Sequence, residues 1–213
     1  MIFAQKLRRG GKYLQNEEYL NPEIFAKQFY EPAVNLLGSL IGGFIFEQEY
    51  QRSQDRIPPQ EMAGALNGFF ESIPRDDRYH IELRTESYLC DWVFEVLEKH
   101  GVGQVLSHWT WLPPLRKQFA KSGGRFFNSG RQSMIRLITP IGMRYEEAYV
   151  KAQPFNKMVE GTLQPQMIEE AADLMWAGIA KGMRVNVFIN NRAGGNAPLI
   201  AQQVAEKFLL PRQ

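Results

Sequence analysis

The feature that most constrains the fold is a regular alternation of short apolar stretches with longer amphipathic ones. The short stretches are rich in β-branched and aromatic residues and are bounded by polar turns, which is typical of strands. The longer stretches repeat apolar residues at helical spacing. Strand–helix units repeated about six times predict a parallel sheet with helices packed outside it. The predicted strands span residues 1–6, 41–48, 79–84, 102–108, 133–138 and 184–190.

The predicted helices rest on apolar spacing and on start and stop signals. Asn21 and Pro22 form a start signal, because asparagine caps the first N–H groups and proline suits the first turn. Pro32 is expected to kink or divide the helix that follows. Residues 139–164 show little periodicity and are predicted to form a long irregular segment, a kind that is often functional or mobile. The other helices are predicted over 59–73, 87–100, 113–121 and 166–181, with a last one after residue 196.

Length and composition indicate one folded domain over residues 1–213, since 44% of the residues are hydrophobic and 12% aromatic. The net charge of +2 does not by itself imply a nucleic-acid partner. The single cysteine, Cys90, excludes an intrachain disulfide and fits a reducing compartment, so we expect a cytoplasmic protein. No apolar run has the length of a membrane span, and we expect no membrane partner.

Two architectures fit the alternation, an open doubly wound sheet and a (β/α) barrel. Several predicted strands carry polar residues in their interiors, which suits the inside of a barrel better than an open sheet. These residues are Glu82, Arg84, Arg136, Asn186 and Asn190. The sequence therefore predicts an α/β fold of the TIM-barrel type with about six strands, incomplete at its N-terminus.

Polar side chains also stand at the carboxyl end of each predicted strand. In a parallel barrel these ends meet at one mouth, where ligands bind. Six polar ends are together more specific than any one of them, and they predict a site at the mouth. The residues are Lys6; Glu47, Gln48 and Glu49; Glu82 and Arg84; His108 and Trp109; Arg136; and Asn190 and Asn191.

Glu82 and Arg84 are the central pair of this predicted site, because alternation places both on one face of a strand. Two interpretations are open. Glu82 acts as a general acid or base while Arg84 holds an anion, or the two form a structural ion pair. Arg136 also needs a carboxylate or a bound anion, and Glu82 is a candidate for that carboxylate.

The segment from Asn190 to Asn196 ends a strand with two amides, continues with Gly194 and Gly195, and caps the last helix. Glycines allow close backbone approach, and a helix start offers N–H groups to an anion. A phosphate site made by Asn190, Asn191, Gly194, Gly195 and Asn196 is one interpretation. An ordinary helix cap with a tight turn is the other.

Metal, thiol and nucleic-acid sites have weaker support in the sequence. Five residues are of metal-ligand type, but no spacing motif accompanies them, so a divalent metal is a lesser expectation; they are His80, His108, Glu47, Glu49 and Glu82. Cys90 near a helix start is expected to be a packed, inert thiol. Residues 115–136 carry six basic residues and no acid, interleaved with Phe119, Phe126 and Phe127, which suits either single-stranded nucleic acid or a solvated face.

The sequence from Phe188 to Pro198 resembles the ending of the YecE-like family, a domain of unknown function. Further similarities follow the chain in order: the segments 3–6, 82–84 and 134–137 resemble the family's Phe-Ala-x-Lys, Glu-x-Arg and arginine strands, and Trp92 matches a tryptophan near a helix start. The resemblance implies a TIM-like barrel and implies no particular reaction.

Two departures from the family accompany the resemblance. The family carries two further strand–helix units before the Phe-Ala-x-Lys strand, roughly 60–70 residues that we expect to be missing here. The family's Gln-x-Pro-Pro is replaced by Gln48-Glu49-Tyr50-Gln51, so only Gln48 matches at this strand end.

Three functional hypotheses follow. The first is a hydrolase or lyase acting on a small anionic or phosphorylated ligand, with Glu82 as acid or base, Lys6 assisting, and Arg84 and Arg136 holding charge. In this hypothesis Gln48, His108 and the 190–196 segment position the ligand. The second is a nucleic-acid-binding or nucleic-acid-processing protein that uses residues 115–136. The third is a non-catalytic truncated barrel. The sequence names no substrate, cofactor or oligomeric state.

Overall fold

The computed structural model describes residues 4–9 and 12–210, with the side chains of residues 4–5 and 14–210. The chain divides into two compact units. Unit 1 comprises residues 1–104 and 127–130, and unit 2 comprises residues 105–126 and 131–213. The prediction of one domain over the whole chain stays a prediction.

Five strands form a parallel sheet whose spatial order follows the order of the chain. This confirms the α/β class and five of the predicted strands, each to within three residues at either end. The strands are β3 (Phe44–Gln48), β4 (Tyr79–Leu83), β5 (Gly103–His108), β6 (Gln132–Leu137) and β7 (Arg184–Ile189). A closed barrel is a finer prediction than this sheet establishes.

The first predicted strand does not join this sheet. Residues 1–3 lie outside the described part of the chain, and Lys6 begins β1 (Lys6–Arg9), which pairs antiparallel with β2 (Lys12–Gln15). The prediction of a parallel first strand is therefore wrong over its described residues.

The helices agree with their predicted positions, with one addition. The first begins at Pro22 as expected and runs on through a π-helical turn at Ala26–Tyr30, just before Pro32, whose missing N–H explains the irregularity. The segment predicted to be irregular contains a helix, α6 (Tyr145–Ala152), which buries little apolar surface and therefore has no clear apolar periodicity in the sequence. The helices are α1 (Pro22–Phe25), α2 (Glu31–Leu37), α3 (Pro59–Ser72), α4 (Asp91–His100), α5 (Leu115–Lys121), α6 (Tyr145–Ala152), α7 (Pro165–Ala180) and α8 (Ala197–Leu209). In the described part of the chain, none of them has both the length and the apolar character needed to span a membrane.

In unit 1 the sheet has one apolar and one polar face. Phe46 and Ile81 are direct neighbours on β3 and β4, and both are buried. The ring of Phe46 lies 5.2 Å from that of Phe25 and 5.7 Å from that of Phe69, so this face packs against α1 and α3. Because side chains alternate along a strand, Glu47 on β3 and Glu82 on β4, each one residue after these two, lie on the other face.

Unit 2 repeats this division. Leu106 and Ile135 are neighbours on β5 and β6 and belong to a buried cluster with residues of α7 and α8, among them Met167. Ser107 and Arg136, one residue further along each strand, are paired on the opposite face. The alternation predicted from the sequence thus separates apolar from polar positions in both units.

Gly103, the first residue of β5, allows close packing against His80 in unit 1, and a substitution can test this. A Cβ added there would lie against the ring of buried His80, 2.7 Å from its Nε2. We expect Gly103→Ala to lower the free energy of unfolding by roughly 1–3 kcal/mol through overpacking. Urea denaturation of the purified chain measures this change.

Gly64→Ala is the matched control, because a Cβ at this exposed position of α3 would meet no atom within 4 Å. Alanine is the better helix former, so Gly64→Ala should raise stability by about 0.5–1 kcal/mol. Equal effects of the two substitutions would contradict the close contact at His80.

Candidate functional site

The predicted pair Glu82 and Arg84 meets in unit 1 and includes a third residue, Glu47. Nε of Arg84 donates a hydrogen bond to Oε2 of Glu82 at 3.0 Å, and its Nη2 lies 2.8 Å from the same oxygen. The Nη2 atom also lies 2.9 Å from Oε2 of Glu47. One guanidinium therefore bridges two carboxylates on neighbouring strands.

Strand register explains how this cluster forms. Glu47 and Glu82 are direct Cα partners in the parallel pair β3 and β4, so their side chains lie on the same face. Arg84 follows the last residue of β4, two positions after Glu82, and extends from the same face. The cluster therefore lies at the carboxyl ends of the two strands, the edge where ligands bind in parallel sheets.

The three side chains differ in their exposure to solvent. The side chain of Glu82 is 0% exposed, that of Arg84 23% and that of Glu47 46%. A fully buried carboxylate needs a charged partner, and Arg84 is that partner. The ion pair that the sequence left as one interpretation of Glu82 and Arg84 is thus present, with Glu47 as its solvent-facing end.

Other residues predicted at these strand ends have different surroundings. Gln48 is the Cα partner of Leu83, lies on the apolar face, and donates from Nε2 to the carbonyl of Glu49. His80 is fully buried, with Nδ1 3.0 Å from the carbonyl oxygen of Arg78. Lys6 lies in β1, and its side chain is outside the described part. Catalytic and ligand-binding roles for these residues stay predictions.

An open cleft of roughly 430 Å³ also follows the carboxyl end of β3 in unit 1. Most of this region is a polar stretch of sequence between β3 and α3, in which no periodicity distinguishes a cleft wall from solvated chain. Its lining residues are Gln5, Glu49, Tyr50, Gln51, Arg52, Gln54 and Asp55.

In unit 2, Arg136 is half-buried on the polar face of β6, between Ser107 and Phe188 on the neighbouring strands. His108 lies on the other face, where it is 2% exposed and its Nδ1 lies 2.9 Å from the carbonyl oxygen of Thr139. Burial holds the pKa of His108 below its usual value, which favours the neutral ring. His108 is thus packed on the apolar face and does not lie on the polar face.

The amides of the 190–196 segment bind the chain's own backbone. Oδ1 of Asn190 accepts from the N–H of Arg192 at 3.0 Å. At the start of α8, Oδ1 of Asn191 accepts from the N–H of Ala197 at 2.8 Å, and Oδ1 of Asn196 accepts from that of Leu199 at 3.0 Å. This is the helix cap that the sequence left as the second interpretation.

The two glycines of the segment serve close packing. Gly195 has φ +106°, and a Cβ there would lie 2.8 Å from Cγ2 of Val159. The carbonyl of Gly194 accepts from the N–H of Val159 at 2.9 Å. Backbone around residue 159 thus approaches the glycines where the sequence suggested an anion, so the geometry does not support the phosphate interpretation.

The basic stretch 115–136 makes contacts within the protein. Arg116 pairs with Asp173 at 2.7 Å, and Arg131 donates to the carbonyl of Lys181 at 2.9 Å. Phe127 is buried and stacks on Phe94 with ring centroids 5.6 Å apart. These contacts match the solvated face with inward aromatics, and they do not favour a nucleic-acid surface.

Metal ligation receives no geometric support over residues 4–9 and 12–210. No three His, Cys, Asp or Glu side chains in these ranges come together in a way that could hold a metal ion. Cys90 occupies the N-cap position of α4 without a side-chain capping hydrogen bond and is half-buried.

Comparison with known proteins identifies a family. The family model described as "Protein of unknown function DUF72" matches residues 21–213. A crystal structure of a DUF72 family protein from Enterococcus faecalis is similar to this chain, with a TM-score of 0.57 and 15% sequence identity over 94% of this chain and 69% of that one. At this identity the likeness supports the fold alone. The comparison with curated proteins gave no match.

The family match confirms the resemblance to the YecE-like proteins, which are the same family as DUF72. The matched range contains Glu82, Arg84, Arg136 and the 190–196 segment that carried the resemblance. The chain belongs to the DUF72 family of proteins of unknown function.

Proposed function

We propose that this DUF72 protein is a hydrolase or lyase that binds an anionic ligand, such as a phosphorylated one, at the carboxyl ends of β3 and β4. One observation carries the proposal. The Arg84 guanidinium is held on one side by fully buried Glu82 and on the other by half-exposed Glu47. A guanidinium fixed in this way is a preorganised partner for carboxylate or phosphate.

Glu82 and Glu47 have different roles in this proposal. Glu82 keeps Arg84 in place, because breaking a buried ion pair leaves an uncompensated charge. Glu47 occupies the solvent side of the same guanidinium, and its carboxylate is replaced there by the anionic group of the ligand. An exposed ion pair contributes only about 0–1 kcal/mol, so this exchange costs little.

The displaced Glu47 remains beside the bound ligand and becomes the candidate general base. A general base must come within hydrogen-bond reach of the proton that it removes. Glu47, at 46% exposure, meets this requirement better than Glu82, at 0%. We therefore assign proton transfer to Glu47 and positioning of Arg84 to Glu82, the residue that the sequence nominated as acid or base. Lys6 and Arg136 remain candidates for further anion contacts.

We also propose that the parallel sheet is part of a TIM-type barrel. Two features support this architecture: five strands in chain order, and one polar face in each unit. In such a barrel the polar face is the interior and the carboxyl ends of the strands form the mouth.

Binding of inorganic phosphate tests the role of Arg84. We expect Arg84→Gln to weaken phosphate binding by about ten- to hundredfold, because a charge-assisted hydrogen bond is lost. Glu47→Gln should strengthen binding by about fivefold, because it removes a competing carboxylate. Isothermal titration calorimetry on the full chain measures both.

Arg116→Gln is the matched control, since Arg116 also pairs with a carboxylate but lies on an exposed surface of unit 2. It should leave phosphate affinity unchanged. If Arg84→Gln and Arg116→Gln have equal effects, or if Glu47→Gln weakens binding, the exchange at Arg84 does not occur.

The substitution Glu82→Gln separates a positioning role from a catalytic one. We expect it to lower the free energy of unfolding by roughly 1.5–3 kcal/mol, because Arg84 loses its buried charged acceptor. Phosphate affinity should fall as well, since Arg84 is no longer held. Urea denaturation and calorimetry on the same variant provide the two measurements. Unchanged stability with lost enzymatic turnover would instead assign Glu82 as the acid or base.

A further inference from the structure

The open cleft after β3 differs in chemistry from the Arg84 cluster. All seven of its lining side chains are polar, and its volume of roughly 430 Å³ lies within the usual size range of small-molecule sites. Among the side chains that the structure describes, those lining the cleft do not include Glu47, Glu82 or Arg84. The cleft is therefore a second candidate site in unit 1.

Gln51 is the most deeply buried residue of the cleft lining, with 3% of its surface exposed. Its Oε1 is in contact with the hydroxyl of Tyr88, and its Nε2 has no hydrogen-bond partner among the described residues. The Tyr88 hydroxyl has one proton and also contacts the carbonyl of Ile57 at 3.2 Å. In the observed orientation the Gln51 amide therefore leaves its Nε2 unsatisfied.

An unsatisfied buried amide is costly, and in native proteins it marks a position where a ligand or water completes the hydrogen bonding. The backbone around Gln51 is held firmly. Its N–H donates to Oγ1 of Thr85 at 3.0 Å, and Nη2 of Arg56 donates to its carbonyl at 3.2 Å. Gln51 is thus a lining residue of the cleft whose backbone is held in place.

The balance of donors and acceptors indicates the chemical class of the ligand. Three glutamine amides each offer a donor and an acceptor, Glu49 and Asp55 offer acceptors, and Arg52 offers donors. A hydroxyl group is itself both donor and acceptor and matches such a mixed wall. An anion is less suited, because the described lining contains two carboxylates and one guanidinium. Tyr50, 37% exposed, adds an aromatic ring at the rim.

We propose that this cleft binds a neutral polyhydroxylated ligand, a monosaccharide or similar polyol, with the amide of Gln51 as its deepest hydrogen-bonding group. Planar amide, carboxylate and guanidinium groups bond to adjacent hydroxyls, and the ring of Tyr50 covers an apolar face of the sugar. The proposal does not depend on anion binding by Arg84.

Ligand-observed saturation-transfer NMR on the full chain tests this proposal with D-glucose, D-galactose and D-ribose as probes. We expect saturation transfer to at least one of these sugars. Gln51→Leu should weaken its binding about three- to tenfold through loss of a buried hydrogen bond. Tyr50→Ala and Gln54→Ala, which change exposed residues, should weaken binding as well.

Gln60→Leu is the matched control, because it makes the same chemical change at an exposed position of α3 and should leave sugar binding unchanged. Arg84→Gln should weaken phosphate binding and leave sugar binding unchanged, so the failure of one proposal can be distinguished from the failure of the other. Absence of transfer to all three sugars overturns the proposal, as does binding unaffected by Gln51→Leu, Tyr50→Ala and Gln54→Ala. If methylammonium bound more tightly than every sugar, the proposal that the ligand is neutral would be wrong.

Discussion

The polar face of unit 1 depends on one buried charge, the carboxylate of Glu82. An ionised group without solvent costs several kcal/mol unless a partner offsets it, and Arg84 supplies two contacts to the same oxygen. Arg84 can do this because it follows the last residue of β4, where its guanidinium remains partly hydrated. The third member, Glu47, is fixed by strand register, since a slip of one residue would place Phe46 beside Glu82 and turn the aromatic face away from α3.

Much of the fold could be predicted from the sequence, because strand and helix periodicities differ and most elements bury enough apolar surface to reveal theirs. The hairpin of β1 and β2 was missed since its residues are largely basic and polar, with little apolar alternation. The helix α6 was missed for a related reason: only Ala148 and Ala152 are buried in it. The apolar periodicity of the sequence is weak wherever an element contributes few side chains to a hydrophobic core.

The candidate site could be predicted less well, because it depends on side-chain direction and on contacts distant in sequence. Alternation correctly placed Glu82 and Arg84 together, and the parallel register added Glu47. His108 ends β5 as predicted, yet its ring lies on the apolar face and contacts Thr139. The cleft around Gln51 had no sequence signal, since its burial arises from Thr85 and Tyr88, residues of a later segment.

Energetics favour Arg84 over the start of α8 as the position of the proposed anion. An anion at α8 would compete with the caps from Asn191 and Asn196, and losing a cap costs about 0.5–2 kcal/mol. It would also have to move the backbone that packs on Gly194 and Gly195. An anion at Arg84 would displace only the half-exposed carboxylate of Glu47, an interaction of about 0–1 kcal/mol. Glycines and a helix start therefore identify an anion site only where the first N–H groups have no internal acceptors, and in α8 the asparagines already provide them.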